Sequence, residues 1–222
     1  EVLYDNRKRF DATSARSAEL LSAELDRFES LLADLLEISR FDAGAAQLTL
    51  EVVDLNSLIA EELDALRPLA ERSGSRLEID ADGNGMAEVD RRRIQRILRN
   101  LVTNAIEHGE GRPITVYLRG SADAVAIAVR DRGVGFSQLE AEHVFNRFWR
   151  ADPSRGRQVG GTGLGLSISQ EDAKLHGGWL TAWGRRGEGA QFCLTVPRSA
   201  GANLHSSPWP SVPPDVREPV DA

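Results

Sequence analysis

Residues 160–166, Gly-Gly-Thr-Gly-Leu-Gly-Leu, form a glycine-rich run that leads straight into a helical pattern. Glycine lets backbone approach a ligand closely, and a helix N-terminus offers unpaired N–H groups at a positive dipole end, so the guest such a loop suits is a polyphosphate. By itself the run describes a flexible surface loop equally well: no buried strand precedes it and the chain has no Gly-Lys-Ser/Thr phosphate loop. A second glycine pair stands in Asp131-Arg132-Gly133-Val134-Gly135, directly after the apolar run 124–130. A carboxylate at a strand end can accept a hydrogen bond from an exocyclic amine while the turn wraps a flat ring, or the motif can be an ordinary strand-ending turn. Asn100 and Asn104 are spaced one helical turn apart, with His108 a turn further on. Asn is a poor helix former, and its carbonyl oxygen can ligate Mg2+, although two solvated polar residues would satisfy the same spacing. Between the glycine runs lies Phe145-Asn146-Arg147-Phe148-Trp149-Arg150, which with Arg155 and Arg157 reads as a basic lid or as a helix anchored by aromatics with solvated arginines.

The elements that must hold these residues are legible from periodicity. Ile94, Ile97, Leu98, Leu101 and Ala105 make the i, i+3, i+4, i+7 face of a helix that Asp90 can cap and that runs to about His108, placing Asn100 and Asn104 on the rim of its apolar face. The triplet Arg91, Arg92 and Arg93 reads as a solvated start to that helix. Residues 113–119 and 124–130 read as strands, and 164–176 as a helix. Residues 179–185 and 190–196 read as a closing hairpin around Gly187 and Gly189. Upstream, Asp54 can cap a helix to about Arg72, and 76–80 and 86–89 read as short strands. Leu21, Leu25, Phe28, Leu32 and Leu35 are spaced 4, 3, 4 and 3, a heptad stripe that asks for a partner helix. The order predicts an α+β fold: a helical segment at 1–46, a two-layer α/β sandwich at 47–197, and a disordered tail at 198–222, where residues 206–222 hold five of the nine prolines.

Composition narrows the classes. Among 222 residues, 34 acidic against 27 basic side chains give a net charge of −7, which argues against a surface built to neutralise nucleic-acid phosphates. The longest apolar run, 124–129, is far short of the roughly 20 residues of a membrane span, so no membrane contact is expected of this chain itself. One cysteine, Cys193, excludes an internal disulfide and reads as a small buried hydrophobe.

The joint order is specific: paired Asn on a helix, Asp-x-Gly-x-Gly after a strand, Phe-x-x-Phe, then Gly-x-Gly-x-Gly into a helix. It resembles the N, G1, F and G2 boxes of the histidine-kinase catalytic and ATP-binding domain over about 47–197, and residues 25–40 resemble the second helix of that family's dimerisation hairpin. The resemblance implies a Bergerat-type ATP-binding fold preceded by a helix of the dimerisation hairpin. It implies ATP and Mg2+ as cofactors, with Asn104 on the metal, Asn100 on the phosphate side, and Asp131 on the adenine amine. Gly133 and Gly135 would shape the purine pocket. Gly161, Thr162, Gly163, Leu164, Gly165 and Leu166 would cradle the triphosphate under a lid carrying Phe148 and Arg150. Where the family often has a basic residue three positions after Asn104 stands Glu107, leaving His108, Arg150 or Arg155 to meet phosphate charge. No His lies in a His-Glu-x-x-Thr/Asn-Pro context, so the phospho-acceptor is expected upstream of Glu1. The family's partners would be a response-regulator protein and a second copy of the chain, the whole being the cytoplasmic portion of a plasma-membrane sensor. Alternatives are a non-catalytic ATP-binding or dimerisation module, and an ATPase of the same fold; the latter usually carries a Glu where Asn100 stands.

Overall fold

A computed structural model describes residues 12–150 and 162–216, which divide into two units, 1–46 and 47–222. In the first, helix α1 (Ala12–Asp42) spans 31 residues. Its heptad stripe is open: Leu21, Leu25, Phe28, Leu32 and Leu35 are 41–60% exposed, an apolar seam without cover among the described residues.

The second unit is built on a five-stranded mixed sheet. Its elements are β1 (Glu51–Asp54), α2 (Leu55–Arg72), β2 (Leu77–Asp82), β3 (Met86–Val89), α3 (Arg91–His108), β4 (Ile114–Gly120), β5 (Ala124–Arg130), α4 (Gln138–Ala141), α5 (Gly165–Leu175), β6 (Trp179–Arg185) and β7 (Gly189–Pro197). The sheet order is β2-β4-β5-β7-β6, with β2 parallel to β4 and the other pairs antiparallel. Of the two short strands predicted upstream, only β2 joins it: β3 pairs with β1 in a separate two-stranded sheet, Glu51 opposite Val89.

Local chemistry sets the helix starts. The Asp54 carboxylate accepts from the Asn56 N–H at 3.0 Å and the Asp90 carboxylate from the Arg93 N–H at 3.2 Å, each satisfying an orphan donor of the first turn. Ser137 and Glu140 form a reciprocal capping box that starts α4, an element not anticipated although its Ser-x-x-Glu signature is in the sequence. The predicted face of α3 is the buried one: Ile94, Ile97, Leu98, Leu101 and Ala105 join Leu58, Ile59 and Leu63 of α2 and Val116, Ile127, Val129 and Leu194 of the sheet in one core. Burying each such side chain contributes about 1.5–3 kcal/mol.

The opposite face of the sheet corrects the expectation for the tail. Residues 198–216 are ordered, and Trp209 lies over Ala126, Ala128 and Cys193, its ring stacked on Tyr117 at 4.6 Å. Strand β5 is apolar at six successive positions and buried along its whole length, so both faces of the sheet need a cover. Residues 217–222 lie outside the described residues. Cys193 is the buried hydrophobe expected, and burial pushes its thiol up to about 11.

Candidate functional site

The C-terminal ends of α3 and β5 and the N-terminus of α5 carry the residues singled out in the sequence. Asn100 leaves α3 toward α5: its Nδ2 donates to the Gly165 carbonyl and to Ser169 Oγ, both at 3.1 Å. The first turn of α5 is thereby tied to α3. Asn104 is half-buried one turn on, and its side chain makes no hydrogen bond to any described residue. His108 and Glu107 complete that edge as exposed side chains.

Asp131 is 2% exposed. Its Oδ1 accepts from the Gly133 N–H at 2.9 Å and the Ala190 N–H at 3.2 Å, and no described donor engages Oδ2. Burial pushes this carboxyl above the usual range, while the two N–H donors and the positive charges of Arg130 and His108 pull it back. The turn is closed by contact. A Cβ on Gly133 would collide with the carbonyl oxygen of His108, and the Val134 N–H donates to that same oxygen at 3.2 Å. Gly135 is likewise fitted against the Arg185 carbonyl, so both glycines serve close packing of the loop between α3 and β6.

The second loop enters α5 through Leu164, fully buried, and no side chain caps the helix. The N–H groups of its first turn are therefore available to an anion. Thr162 Oγ1 accepts from the Leu164 N–H at 3.3 Å, and Leu166 is half-buried against the core. Gly163 adopts φ +73° and its carbonyl accepts from the Phe148 N–H at 2.9 Å. Phe148 itself holds φ +63° and is 60% exposed, a conformation unfavourable for an aromatic residue and of the kind that clusters at ligand clamps. Arg150 is half-buried. Gly161, Arg155 and Arg157 lie outside the described residues, as does most of the stretch read as a lid.

Several contributors were not expected to bear on the site. Ser169 anchors Asn100, and its position one turn after Gly165 was the available signal. Gly189, φ +89°, fits the β6–β7 turn against the Asp131 carbonyl. Arg93 is no solvated helix start: its Nη1 and the Arg96 Nη2 reach Asp172 of α5 at 2.7 and 2.6 Å, and Arg93 is 14% exposed. Asp172 is fully buried, and only long cations from α3 can balance it, which is why one of the triplet turns inward.

A helix carrying paired Asn, a buried carboxylate at a strand end and an uncapped glycine-entered helix, all on one face of a mixed sheet, define a class. The model of the histidine kinase-, DNA gyrase B- and HSP90-like ATPases matches residues 89–200, and the chain belongs to that family. Within it, the chain is 52% identical over 214 residues to the sensor histidine kinase MtrB of Mycolicibacterium paratuberculosis, covering 96% of this chain and 38% of that protein. It is 39% identical over 189 residues to the signal transduction histidine-protein kinase AfsQ2 of Streptomyces coelicolor, covering 85% of this chain and 34% of that one. Among solved structures, full-length ShkA in complex with AMPPNP superimposes with a TM-score of 0.75 at 25% identity, over 88% of this chain and 41% of ShkA. The chain thus spans well under half the length of the curated relatives it matches.

Proposed function

We propose that this chain is the ATP-binding catalytic portion of a sensor protein-histidine kinase, which transfers a γ-phosphoryl group to a histidine and from there to an aspartate of a response regulator. The observation that carries the reading is Asp131: a buried carboxylate held by two backbone donors on one oxygen, leaving the other to accept from an adenine amine. The relatives' names and the nucleotide analogue bound to ShkA point the same way.

Phosphoryl transfer of this kind depends on positioning and charge neutralisation more than on covalent chemistry by the protein. Asn100 fixes the start of α5 so that its first-turn N–H groups face the phosphates. Gly163, Leu164, Gly165 and Leu166 set the approach of that backbone, with Gly161 and Thr162 preceding them and Phe148 and Arg150 at the lid. Gly133 and Gly135 shape the purine pocket by holding its loop against α3 and β6. Asn104 fits Mg2+: its amide oxygen is hard and unengaged, and no cluster of three or more acidic, His or Cys ligands exists among the described residues, as suits an ion that leans on phosphates and water. When bound, the ion neutralises phosphate charge. With Glu107 exposed in place of a basic residue, His108 is the cationic candidate on that edge.

The uncovered seam of α1 supports homodimerisation through paired helices, and the acceptor histidine belongs to a hairpin helix outside this chain. No described helix is long and apolar enough to cross a membrane. The chain would act as the cytoplasmic portion of a membrane-anchored sensor.

Mixing the chain with a separately produced hairpin carrying an acceptor histidine and γ-labelled ATP tests the reading. Acid-labile label on the hairpin, lost with Asn104→Ala, is the expected result. Nucleotide binding without transfer would replace it with a non-catalytic binding module, and release of phosphate to water with an ATPase.

A further inference from the structure

Arg130, at the end of β5, is the residue immediately before Asp131, and its side chain is 3% exposed. All three nitrogens of its guanidinium are engaged. Nη1 donates to the Asp131 carbonyl at 2.5 Å and the Ala190 carbonyl at 3.3 Å, Nη2 to the Glu188 carbonyl at 2.9 Å, and the plane lies over Trp183 at 5.1 Å. These contacts clamp the end of β5 to the turn between β6 and β7, the turn that also supplies the Ala190 N–H to Asp131 Oδ1. Carbonyls and a ring solvate a cation but do not neutralise it, and a buried cation is tolerated only when paired. Its one ion pair among the described residues comes from the tail: Asp215 Oδ1 lies 3.2 Å from Nε, while Oδ2 reaches Arg132 at 3.3 Å.

The path that brings Asp215 there is built at successive outward positions of β7. Thr195 Oγ1 donates to Ser207 Oγ at 2.9 Å. Trp209 Nε1 donates to Gln191 Oε1 at 3.0 Å, and Gln191 Nε2 donates back to the Pro210 and Ser211 carbonyls, both at 3.3 Å. Gln191 stands opposite Arg130 in the β5–β7 register, so the strap finishes beside the clamp. Four prolines between residues 208 and 214 restrict the free chain and lower the entropy cost of laying it down.

We infer that residues 205–216 are an intramolecular strap across the outer face of the sheet, and that Asp215 is a positioning residue for the nucleotide site: it balances Arg130 and so leaves Asp131 to accept from the adenine amine. Without Asp215 that buried guanidinium has no ion-pair partner among the described residues, and its field falls on Asp131, the adjacent carboxylate it already acts on, so the charge that should face the ligand is drawn toward the clamp. The role in binding rests on the nucleotide reading above; the effect on the loop does not.

The full chain and its Asp215→Ala, Asp215→Glu and Asp64→Ala variants separate the possibilities, Asp64 being half of an exposed ion pair with Arg67 remote from the strap. Two quantities are read: amide hydrogen exchange at Gly133 and Ala190 without nucleotide, and the Kd for Mg-ATP by calorimetry. Asp215→Ala is expected to speed both exchanges and raise Kd about tenfold, Asp215→Glu to restore both to within roughly twofold, and Asp64→Ala to change neither. A lower Tm for Asp215→Ala with exchange at Gly133 and Ala190 and Kd unchanged would reduce the strap to a structural cover and overturn the inference. If the unaltered chain takes up no Mg-ATP, the nucleotide reading fails while the exchange measurement still decides whether Asp215 orders the loop.

Discussion

A single carboxylate shows how much of the proposed site is decided by which atoms remain free. Asp131 spends Oδ1 on two backbone donors and turns Oδ2 away from them. In Asp131→Asn the amide oxygen would keep those two donors, because only an acceptor can stand there. Its NH2 group would then replace Oδ2 and confront the adenine amine donor to donor. The substitution also removes a buried charge, so the fold should lose little. The expected outcome is a rise in Kd for Mg-ATP of about tenfold or more with Tm within a few degrees of the parent, measured by calorimetry and thermal melting. Equal affinity in the two proteins would show that the amine is not read here.

Between elements, the tie from α3 to α5 holds the phosphate side of the proposed site. Asn100 donates to Gly165 of the first turn of α5 and to Ser169 one turn later, whose hydroxyl in turn donates to the Gly165 carbonyl at 2.8 Å. The three groups form a closed set, so Asn100→Ala and Ser169→Ala should not be additive. A double-mutant cycle in urea is expected to give a coupling energy of about 0.5–1.5 kcal/mol; additivity within about 0.3 kcal/mol would mean that the two side chains act independently. Such pairings explain what the sequence made legible and what it hid. The spans of α2 and α3 followed from apolar period and caps, and those of β4 through β7 and α5 from apolar runs bounded by glycine and polar turns, because those signals are local. The inward turn of Arg93 did not, since its cause is Asp172, 79 residues away and buried. The strap was hidden for a related reason: proline content speaks of poor packing, but the apolar character of β5 on both faces called for a second cover, and Trp209 is the residue that answers it. The order of the boxes made the candidate site residues legible. Their partners Ser169 and Arg130 emerge only when helices and strands are set against one another.

Over the whole molecule, the stability of the second unit should depend on pH through His176, which joins the start of α3 to the end of α5. Its Nε2 lies 3.0 Å from the Asp90 N–H, and its Nδ1 lies 2.7 Å from the Asp172 carbonyl. A backbone N–H can only donate, so Nε2 is the acceptor and Nδ1 carries the proton; the neutral ring is the form that fits. Burial lowers the His176 pKa below its ordinary 6.5, against the pull of the Asp172 carbonyl and the charges of Asp172 and Asp90, with Arg93 reinforcing the drop. The unfolded chain therefore takes up a proton near pH 6.5 that the folded chain refuses until lower pH. Stability is fully present above 6.5 and is lost as pH falls from there toward the folded value, by at most about 1.4 kcal/mol per pH unit. Asp131 and Asp172 have the opposite sign. Burial raises both above 3.8, so the folded state binds their protons first and gains stability as pH falls through their folded values toward 3.8. The decline just below 6.5 is thus the part that reports His176, because at the acid end Asp131 and Asp172 are opposed by Asp54 and Glu140, whose hydrogen bonds hold them below their ordinary values. Urea unfolding at pH 7.5, 6.5 and 5.5 should show it in the parent chain. His176→Gln, which can accept from the Asp90 N–H but cannot titrate, should be less stable at pH 7.5 and nearly flat from 6.5 to 5.5. A variant that keeps the parent's slope would place the linked proton on another group.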